Sequence, residues 1–583
     1  MAALHYRVEC ADLHAHLFRV TLTVARPAAG QEVSLPAWIP GSYLVREFAK
    51  NLHHLQARQD GAPVAITQCS KDHWRADCHA DSPLEFTYEV CAYDNSVRTA
   101  WLDAARGFFN ATSLCLRVAG QTDAPCELTV IAPENIAASA DWYCAIGLFP
   151  SNIDARGFGT YRAADHDELA DCPVEMGPFW SATFDACGVP HRFVVAGAAP
   201  SFDHARLLRD ARRICETAIR FWHPGGEAPP FTNYTFLLNV VDEGFGGLEH
   251  RNSTALICGR RDLPRRDVAK SNDGYTTLLG LISHEYFHTW NVKRLRPAEF
   301  TRYDYGRENY TELLWFFEGF TSYYDDLLLR RAGLLDDAAY LKLLAKTANQ
   351  VLQTPGRHVQ SVAQASFDAW VKYYRQDENT PNATVSYYTK GALVALCLDL
   401  ALRREGATLD DAMRALWQRC AGGPMAESDL LAVLHRLTGR DWAGEIAQWV
   451  HGTAELPLAD LLAAQGIALK AEPPQPAQRL GLRVQEGANI QVKTVLRGGA
   501  AERAGFMAGD EWLGVEDWRI GKLDDLALYA GDEPTVTALV ARDKRLLRLP
   551  LALHPATATA DTIALGVADA ALAARWLFTG DNP

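Results

Sequence analysis

Two histidines and a glutamate lie together in the pentapeptide HEYFH, residues 284–288. Residues four apart on an α-helix are separated by about one turn, so His284 and His288 can point at one metal ion. The flanking residues are apolar and predict a buried helix, and a core helix that only happens to carry two histidines is the alternative. A third ligand elsewhere in the chain decides between the two interpretations.

Glu318 is the candidate for the third ligand. It lies in WFFEGFTSYY, a predicted apolar helix, where an unpaired carboxylate would be costly to bury. Binding to a metal ion removes that cost, and the apolar neighbours argue against an ordinary surface glutamate. The sequence therefore predicts the three protein ligands that zinc catalysis needs, namely His284, His288 and Glu318.

Glu285 is the candidate general base. It points about 100° away from His284 around the helix and cannot easily bind the same ion. Zinc lowers the pKa of a bound water, and a carboxylate at hydrogen-bond distance then accepts its proton.

Two further groups suit a peptide substrate. Glu249, in the glycine-rich turn GGLEH, can pair with a free α-amino group, although its spacing fits an ordinary loop glutamate equally well. A tyrosine of SYYTKG, 386–391, can donate a hydrogen bond to an oxyanion, but the residues alone favour a packed aromatic pair.

Lys293, Arg294 and Arg296 are predicted as surface or salt-bridge residues. Thr321, Ser322 and Asp325 are candidates to support the metal ligands.

The patterning predicts several domains in the 583 residues. Short alternating runs at 1–168 predict an all-β sandwich, within which WIPGSYLVREF reads as a loop with a Pro-Gly turn. Residues 169–468 predict a mixed α and β domain that becomes almost wholly helical. A Pro-rich linker at 469–478, a small β-rich domain at 479–556 and a tail at 557–583 follow.

Composition excludes some classes of partner. The net charge of −14, without blocks of like charge, argues against nucleic acid. The longest apolar runs are too short to span a membrane, and no secretory signal is predicted at the N-terminus. Thirteen cysteines without CxxC pairs favour reduced thiols and a cytoplasmic protein, although a chain that had lost a signal peptide would look the same.

HEYFHTWNVKRLRP followed by WFFEGFTSYY resembles the gluzincin metallopeptidases, and most closely the glycyl aminopeptidase family. WIPGSYLVREF resembles a motif of that family's N-terminal β domain, and DCPVEMGPF, 171–179, resembles the segment leading into its catalytic domain. AAERAGFMAGDEWLGVEDW resembles part of a PDZ domain. The resemblance implies a multidomain protein with an N-terminal β domain, a thermolysin-like α+β catalytic domain and a C-terminal PDZ-like domain.

The resemblance also assigns roles to residues. It implies zinc on His284, His288 and Glu318, with Glu285 as the base. GGLEH aligns with the Gly-x-Met-Glu-Asn motif of related aminopeptidases, which places Glu249 on the substrate amine and Gly246 and Gly247 beside the substrate backbone. Leu248 and His250 depart from that motif. The Tyr-x-Lys-Gly motif implies Tyr388 as the oxyanion donor, with Tyr387 as the fallback.

These implications predict a zinc aminopeptidase that acts on peptides with a free N-terminus and prefers glycine, and alanine next. A broader zinc metalloprotease or endopeptidase, and an inactive PDZ adaptor on a peptidase fold, are the rival functions. The PDZ-like domain either binds a peptide or covers the catalytic cleft within the chain.

Overall fold

The computed structural model describes residues 3–133, 141–531, 533–553 and 562–577. The chain folds into two compact units. The first comprises the residues up to 309 together with residues 422–424, and the second comprises residues 310–421 together with the residues from 425 onward.

The first unit begins with a β-rich domain. Its strands are β1 Leu4–Asp12, β2 Leu17–Val24, β3 Glu32–Ser34, β4 Leu52–Gln59, β5 Ala62–Val64, β6 Ile66–Gln68, β7 His73–Ala76, β8 Leu84–Cys91, β9 Ala100–Leu102, β10 Gly107–Phe109, β11 Arg117–Val118, β12 Cys126–Val130, β13 Tyr143–Ile146, β14 Phe149–Ile153, β15 Gly159–Ala163 and β16 Val174–Gly177. Two short helices, α1 Ala111–Leu114 and α2 His166–Ala170, and a 3₁₀ turn at Phe48–Asn51 interrupt them.

These strands form three sheets. The largest has the order β14-β15-β12-β1-β2-β8-β4-β5, and the two smaller ones are β13-β16-β10-β9 and β11-β3-β7-β6. Side chains of β2 and β8 alternate between buried and more exposed, because successive residues of a strand point to opposite faces. The predicted β domain is therefore confirmed as β-rich, although it is built from three sheets.

The predicted boundary at residue 168 lies too early. Strand β16 pairs with β10, where Phe109 faces Val174, and with β13, where Tyr143 faces Gly177. The β domain therefore runs through Gly177, because its second sheet needs a strand that comes after the predicted end.

The first unit continues with a five-stranded sheet and two long helices. Their bounds are β17 Trp180–Ala186, β18 Val189–Ala196, α3 His204–Trp222, β19 Tyr234–Val241, β20 Gly246–Glu249, β21 Ser253–Gly259 and α4 Asp273–Phe287, followed by the short β22 Arg296–Pro297 and by 3₁₀ turns at Arg260–Asp262 and Ala298–Phe300. The strand order is β17-β18-β19-β21-β20, so β20 is an edge strand. The strands predicted on either side of the glycine-rich segment and the helix before HEYFH are confirmed, but residues 246–249 of the predicted turn form the edge strand β20.

The second unit opens with helices. They are α5 Leu314–Arg331, α6 Asp337–Leu352, α7 Val362–Phe367, α8 Thr380–Ala383, α9 Tyr387–Arg404, α10 Leu409–Arg419, α11 Glu427–Thr438, α12 Ala443–Ile446 and α13 Leu458–Ala464, with the short β23 Pro424–Met425, a 3₁₀ turn at Pro355–His358 and a π turn at Ala447–His451. The helix predicted at 387–404 has those bounds, and the predicted helical half of the catalytic domain is confirmed.

A glycine pair sets the distance between α5 and α9. A Cβ on Gly319 would lie 2.5 Å from the Cα of Gly391, and a Cβ on Gly391 would lie 2.5 Å from the carbonyl oxygen of Trp315. Glycine inside a helix costs up to about 1 kcal/mol relative to alanine, so close backbone packing is what justifies both residues. The crossing brings Glu318 on α5 close to the first turn of α9.

The C-terminal part of the second unit is also folded. Its elements are β24 Ile467–Glu472, α14 Pro476–Leu480, β25 Leu482–Gln485, β26 Ile490–Val495, α15 Ala500–Ala504, β27 Glu511–Val515, β28 Trp518–Arg519, α16 Asp525–Tyr529, β29 Thr535–Arg542, β30 Arg545–Ala552, β31 Thr562–Val567 and α17 Ala570–Leu577. Strands β25 to β30 form one antiparallel sheet with its own apolar core around Trp512.

Two segments differ from the prediction. The Pro-rich segment 469–478 is not a bare linker, since it holds the end of β24 and the start of α14. The predicted tail at 557–583 contains β31, which pairs with β24, and α17, whose Trp576 indole donates to the Tyr323 hydroxyl at 3.3 Å. Residues 554–561 and 578–583 lie outside the described part.

Within the described part, the segment 380–404 is long and apolar enough to cross a membrane, and 83% of its apolar window is buried in the protein. Such burial is typical of a core helix. All thirteen cysteines are free thiols.

We expect Gly391→Ala to destabilise the protein by about 1–3 kcal/mol, because the new methyl group must push α9 away from Trp315. Thermal unfolding followed by circular dichroism measures the loss. Gly444→Ala in α12 is the control, because a Cβ there meets no atom within 4 Å. Equal melting temperatures for the two variants would contradict the close helix crossing.

Candidate active site

The predicted helix around HEYFH is α4, which ends earlier than Pro297: His284 lies in its last turn and His288 is its C-cap residue. The ring nitrogens Nε2 of His284 and His288 are 3.1 Å apart. Two nitrogens bound to a tetrahedral zinc ion are about 3.3 Å apart, so the pair already has the spacing of metal ligands. His288 is buried and donates from Nδ1 to the carbonyl oxygen of Asn291 at 2.7 Å. That hydrogen bond fixes the tautomer with its Nε2 lone pair directed to a metal.

Glu318 is the third member of this group. Its side chain is buried, with 2% of its surface exposed, in the apolar helix α5. One potential ligand atom from each of His284, His288 and Glu318 lies within 4.8 Å of the others. A donor set of two imidazoles and one carboxylate suits zinc, so these residues fit the predicted ion.

Glu285 lies against the edge strand β20. A Cβ on Gly247 would be 2.1 Å from Oε1 of Glu285, so the carboxylate occupies the space that a side chain at 247 would fill. Glu285 is 5% exposed and follows the first histidine directly. The base candidate is thereby fixed between the metal-ligand pair and the strand edge.

Glu249 lies at the end of β20 and is 5% exposed. The Pro-Gly turn of WIPGSYLVREF packs on its carboxylate, since a Cβ on Gly41 would be 2.6 Å from both Glu249 oxygens. The Ser42 amide donates to the Ile39 carbonyl at 3.1 Å and Gly41 has φ +92°, as in a type II turn that requires glycine at this position. The segment read as an ordinary loop is therefore a wall of the candidate site.

His250, the residue after Glu249, belongs to a buried cluster of polar and charged side chains around Asp171. Asp171 forms ion pairs with Lys293 at 2.6 Å and with Arg251 at 3.2 Å, and Nδ1 of His250 is hydrogen-bonded to it at 3.1 Å. Burial raises the pKa of Asp171, but the nearby positive charges outweigh it and hold that pKa well below its usual range. Lys293 is thus a salt-bridge residue, as predicted, but it is buried and not on the surface.

Tyr387 and Tyr388 differ in access. Tyr387 is fully buried, whereas Tyr388 is half-buried and stacks on it with ring centroids 4.7 Å apart. The Tyr388 hydroxyl lies 3.4 Å from that of Tyr374. Burial, and then the charge of Glu318, raise the pKa of Tyr388 well above its ordinary value, so its hydroxyl stays protonated. Of the two tyrosines, Tyr388 therefore has the more accessible side chain.

Some contacts at the site were not predicted. Nδ1 of His288 is hydrogen-bonded to the backbone carbonyl oxygen of Asn291. Thr321, Ser322 and Asp325 stay candidates to support the metal ligands. Arg98 of the β domain donates to the carbonyl oxygen of Gly247 at 3.0 Å. Both contacts depend on tertiary packing, and no local sequence pattern signals them.

Comparison with known proteins identifies the family. The model for M61 glycyl aminopeptidase matches residues 277–394, and the model for the peptidase M61 N-terminal domain matches residues 5–178. A crystal structure of an aminopeptidase N family protein from Idiomarina loihiensis is 38% identical, covers 99% of this chain and 100% of its own, and has a TM-score of 0.94. No curated protein matches the chain.

More distant structures are M1 zinc metallopeptidases from Deinococcus radiodurans. One is 16% identical, covers 78% of this chain and 94% of its own, and has a TM-score of 0.48. Another, a mutant bound to a Tyr-Ser-Ala substrate, is 14% identical, covers 78% of this chain and 94% of its own, and has a TM-score of 0.47. Their similarity is too low to carry an argument about this site.

The matched models and the metal-ligand group define the protein as a metallopeptidase. The chain belongs to the M61 glycyl aminopeptidase family.

We expect Lys293→Met to lower the free energy of unfolding by about 3–5 kcal/mol, because it leaves the buried Asp171 without its closest partner. Adding Asp171→Asn should restore part of the loss, which urea unfolding of the single and double variants would measure. Because the folded-state pKa of Asp171 is lowered, its stabilisation is fully present above the unfolded-state pKa of about 3.9 and is lost progressively as the pH falls from there through the lower folded-state pKa. Arg302→Met, at a side chain 86% exposed, is the control, and an equal effect of the two single variants would contradict the cluster's role.

Proposed function

We propose that this metallopeptidase is a zinc-dependent aminopeptidase that removes N-terminal glycine, and alanine next, from peptides. The observation that carries the proposal is the group of His284, His288 and Glu318, whose ligand atoms lie within 4.8 Å of one another. When bound there, zinc would supply Lewis-acid chemistry that polarises a carbonyl and lowers the pKa of water.

Glu285 is proposed as the general base. Its carboxylate would take a proton from the attacking water and pass it to the leaving amine, so that the proton is conserved through the reaction. Its position against Gly247 supports this role, because the base then faces a strand edge along which a peptide can bind. Tyr388 would donate its hydroxyl proton in a hydrogen bond to the oxyanion of the tetrahedral intermediate.

Glu249 is proposed to bind the α-ammonium group of the substrate. Its buried carboxylate lies at the end of the edge strand, two residues beyond Gly247. The Gly41 turn supports the preference for small residues, because it occupies space directly over the Glu249 carboxylate. Gly246 and Gly247 would lie beside the substrate backbone.

Two further features of the chain are proposals of the same kind. The antiparallel sheet of β25 to β30, with α15 and α16, is proposed as the PDZ-like domain. The thirteen free cysteines support a reducing compartment, such as the cytoplasm.

We expect Glu285→Gln to keep its zinc but to lower kcat by about 10²–10⁴, because the amide cannot accept the proton. Metal analysis by mass spectrometry and hydrolysis of glycyl-p-nitroanilide measure the two properties on one sample. A chelator should abolish the wild-type activity, and added zinc should restore it. Full turnover by Glu285→Gln would exclude Glu285 as the base.

We expect Glu249→Gln to lower kcat/KM for glycyl-p-nitroanilide by about 10- to 100-fold, because a charge-assisted hydrogen bond to the amine is lost. Glu243→Gln, an exposed residue of the same turn, is the control. The wild type should cleave glycyl-p-nitroanilide faster than the alanyl and leucyl compounds and should leave N-acetylglycyl-p-nitroanilide intact. Cleavage of the blocked compound would instead favour an endopeptidase.

A further inference from the structure

Arg98 lies at the free edge of β20, on the side away from Glu249. Its Nη2 donates to the carbonyl oxygen of Gly247 at 3.0 Å, and its Nη1 is 3.6 Å from where a Cβ on Gly246 would be. Since β20 is the last strand of its sheet, this guanidinium occupies the position where a peptide paired with β20 would continue.

The charge of Arg98 has no carboxylate partner among residues 3–133, 141–531, 533–553 and 562–577. Its Nε is buried without a hydrogen bond, and its one side-chain hydrogen bond is the one to Gly247. Arg106, in the same domain, makes two 2.7 Å hydrogen bonds to the carboxylate of Glu175. A half-buried guanidinium beside a peptide-binding edge, with donors still open, suits an anionic ligand.

The distance along β20 between Glu249 and the glycines beside Arg98 indicates which anionic group could reach Arg98. Gly247 and Gly246 are two and three residues from Glu249, about 7–10 Å at the rise of a β-strand. An extended di- or tripeptide spans about 7–11 Å. A peptide whose amine is on Glu249 therefore brings the terminal carboxylate of its second or third residue to Arg98.

We propose that Arg98 is a specificity residue that binds the C-terminal carboxylate of di- and tripeptides, so that the enzyme prefers short free peptides to longer chains. This inference rests on the proposed aminopeptidase function. It also explains why a loop of the β domain reaches the catalytic sheet, where Asn95 accepts a hydrogen bond from Asn239 at 2.8 Å.

The test compares Gly-Phe and Gly-Gly-Phe with their C-terminal amides. For the wild type we expect kcat/KM to be about 10- to 100-fold higher for the acids in at least one pair. Arg98→Gln should reduce that ratio to about one, and Arg98→Lys should keep part of it. Arg162→Gln, an exposed arginine of the β domain whose side chain is 64% accessible, should keep the wild-type ratio.

Two results would overturn the inference. The first is a wild type that does not distinguish acids from amides. The second is an Arg98→Gln variant that loses activity on acids and amides by the same factor, because Arg98 would then only hold β20 in place. Failure of the wild type to cleave glycyl-p-nitroanilide would instead refute the proposed function itself, and the role of Arg98 with it.

Discussion

The absence of a side chain at Gly247 is the constraint on which the rest of the candidate site depends. The carboxylate of Glu285 fills that space, which sets α4 directly against the edge strand β20. Any larger residue at 247 would displace the side chain of Glu285, the candidate base. The lack of a side chain at Gly247 thus allows α4, which carries His284 and the candidate base Glu285, to pack directly against β20.

The β domain completes the surroundings of this strand from the other side. Gly41 packs on the carboxylate of Glu249, and Arg98 holds the carbonyl of Gly247. The Trp38 indole donates to the Asp304 carbonyl at 2.7 Å, which anchors the Gly41 turn to the segment after α4. The N-terminal domain therefore contributes residues to the candidate site, as α4 does.

Patterns of neighbouring residues in the sequence predicted the features that depend on neighbouring residues, namely helices and local burial. Apolar periodicity identified α4, α5 and α9, and the burial of Glu318 followed from the apolar residues beside it. Contacts between distant residues were not predictable in this way. Arg98 and Gly247 are 149 residues apart, and the pairing of β24 with β31 joins a segment predicted in part as a linker to one predicted as a tail. Lys293 resembled a surface residue because its partner, Asp171, lies in another domain of the sequence.

The proposed zinc ligands and the proposed amine site on Glu249 can be tested together by diffraction from crystals soaked in glycinamide, recorded at the zinc absorption edge. We expect one anomalous peak about 2.0–2.2 Å from Nε2 of His284, Nε2 of His288 and a carboxylate oxygen of Glu318, with the ligand amine on Glu249. A crystal of active enzyme without that peak, or with the amine bound away from Glu249, would contradict it.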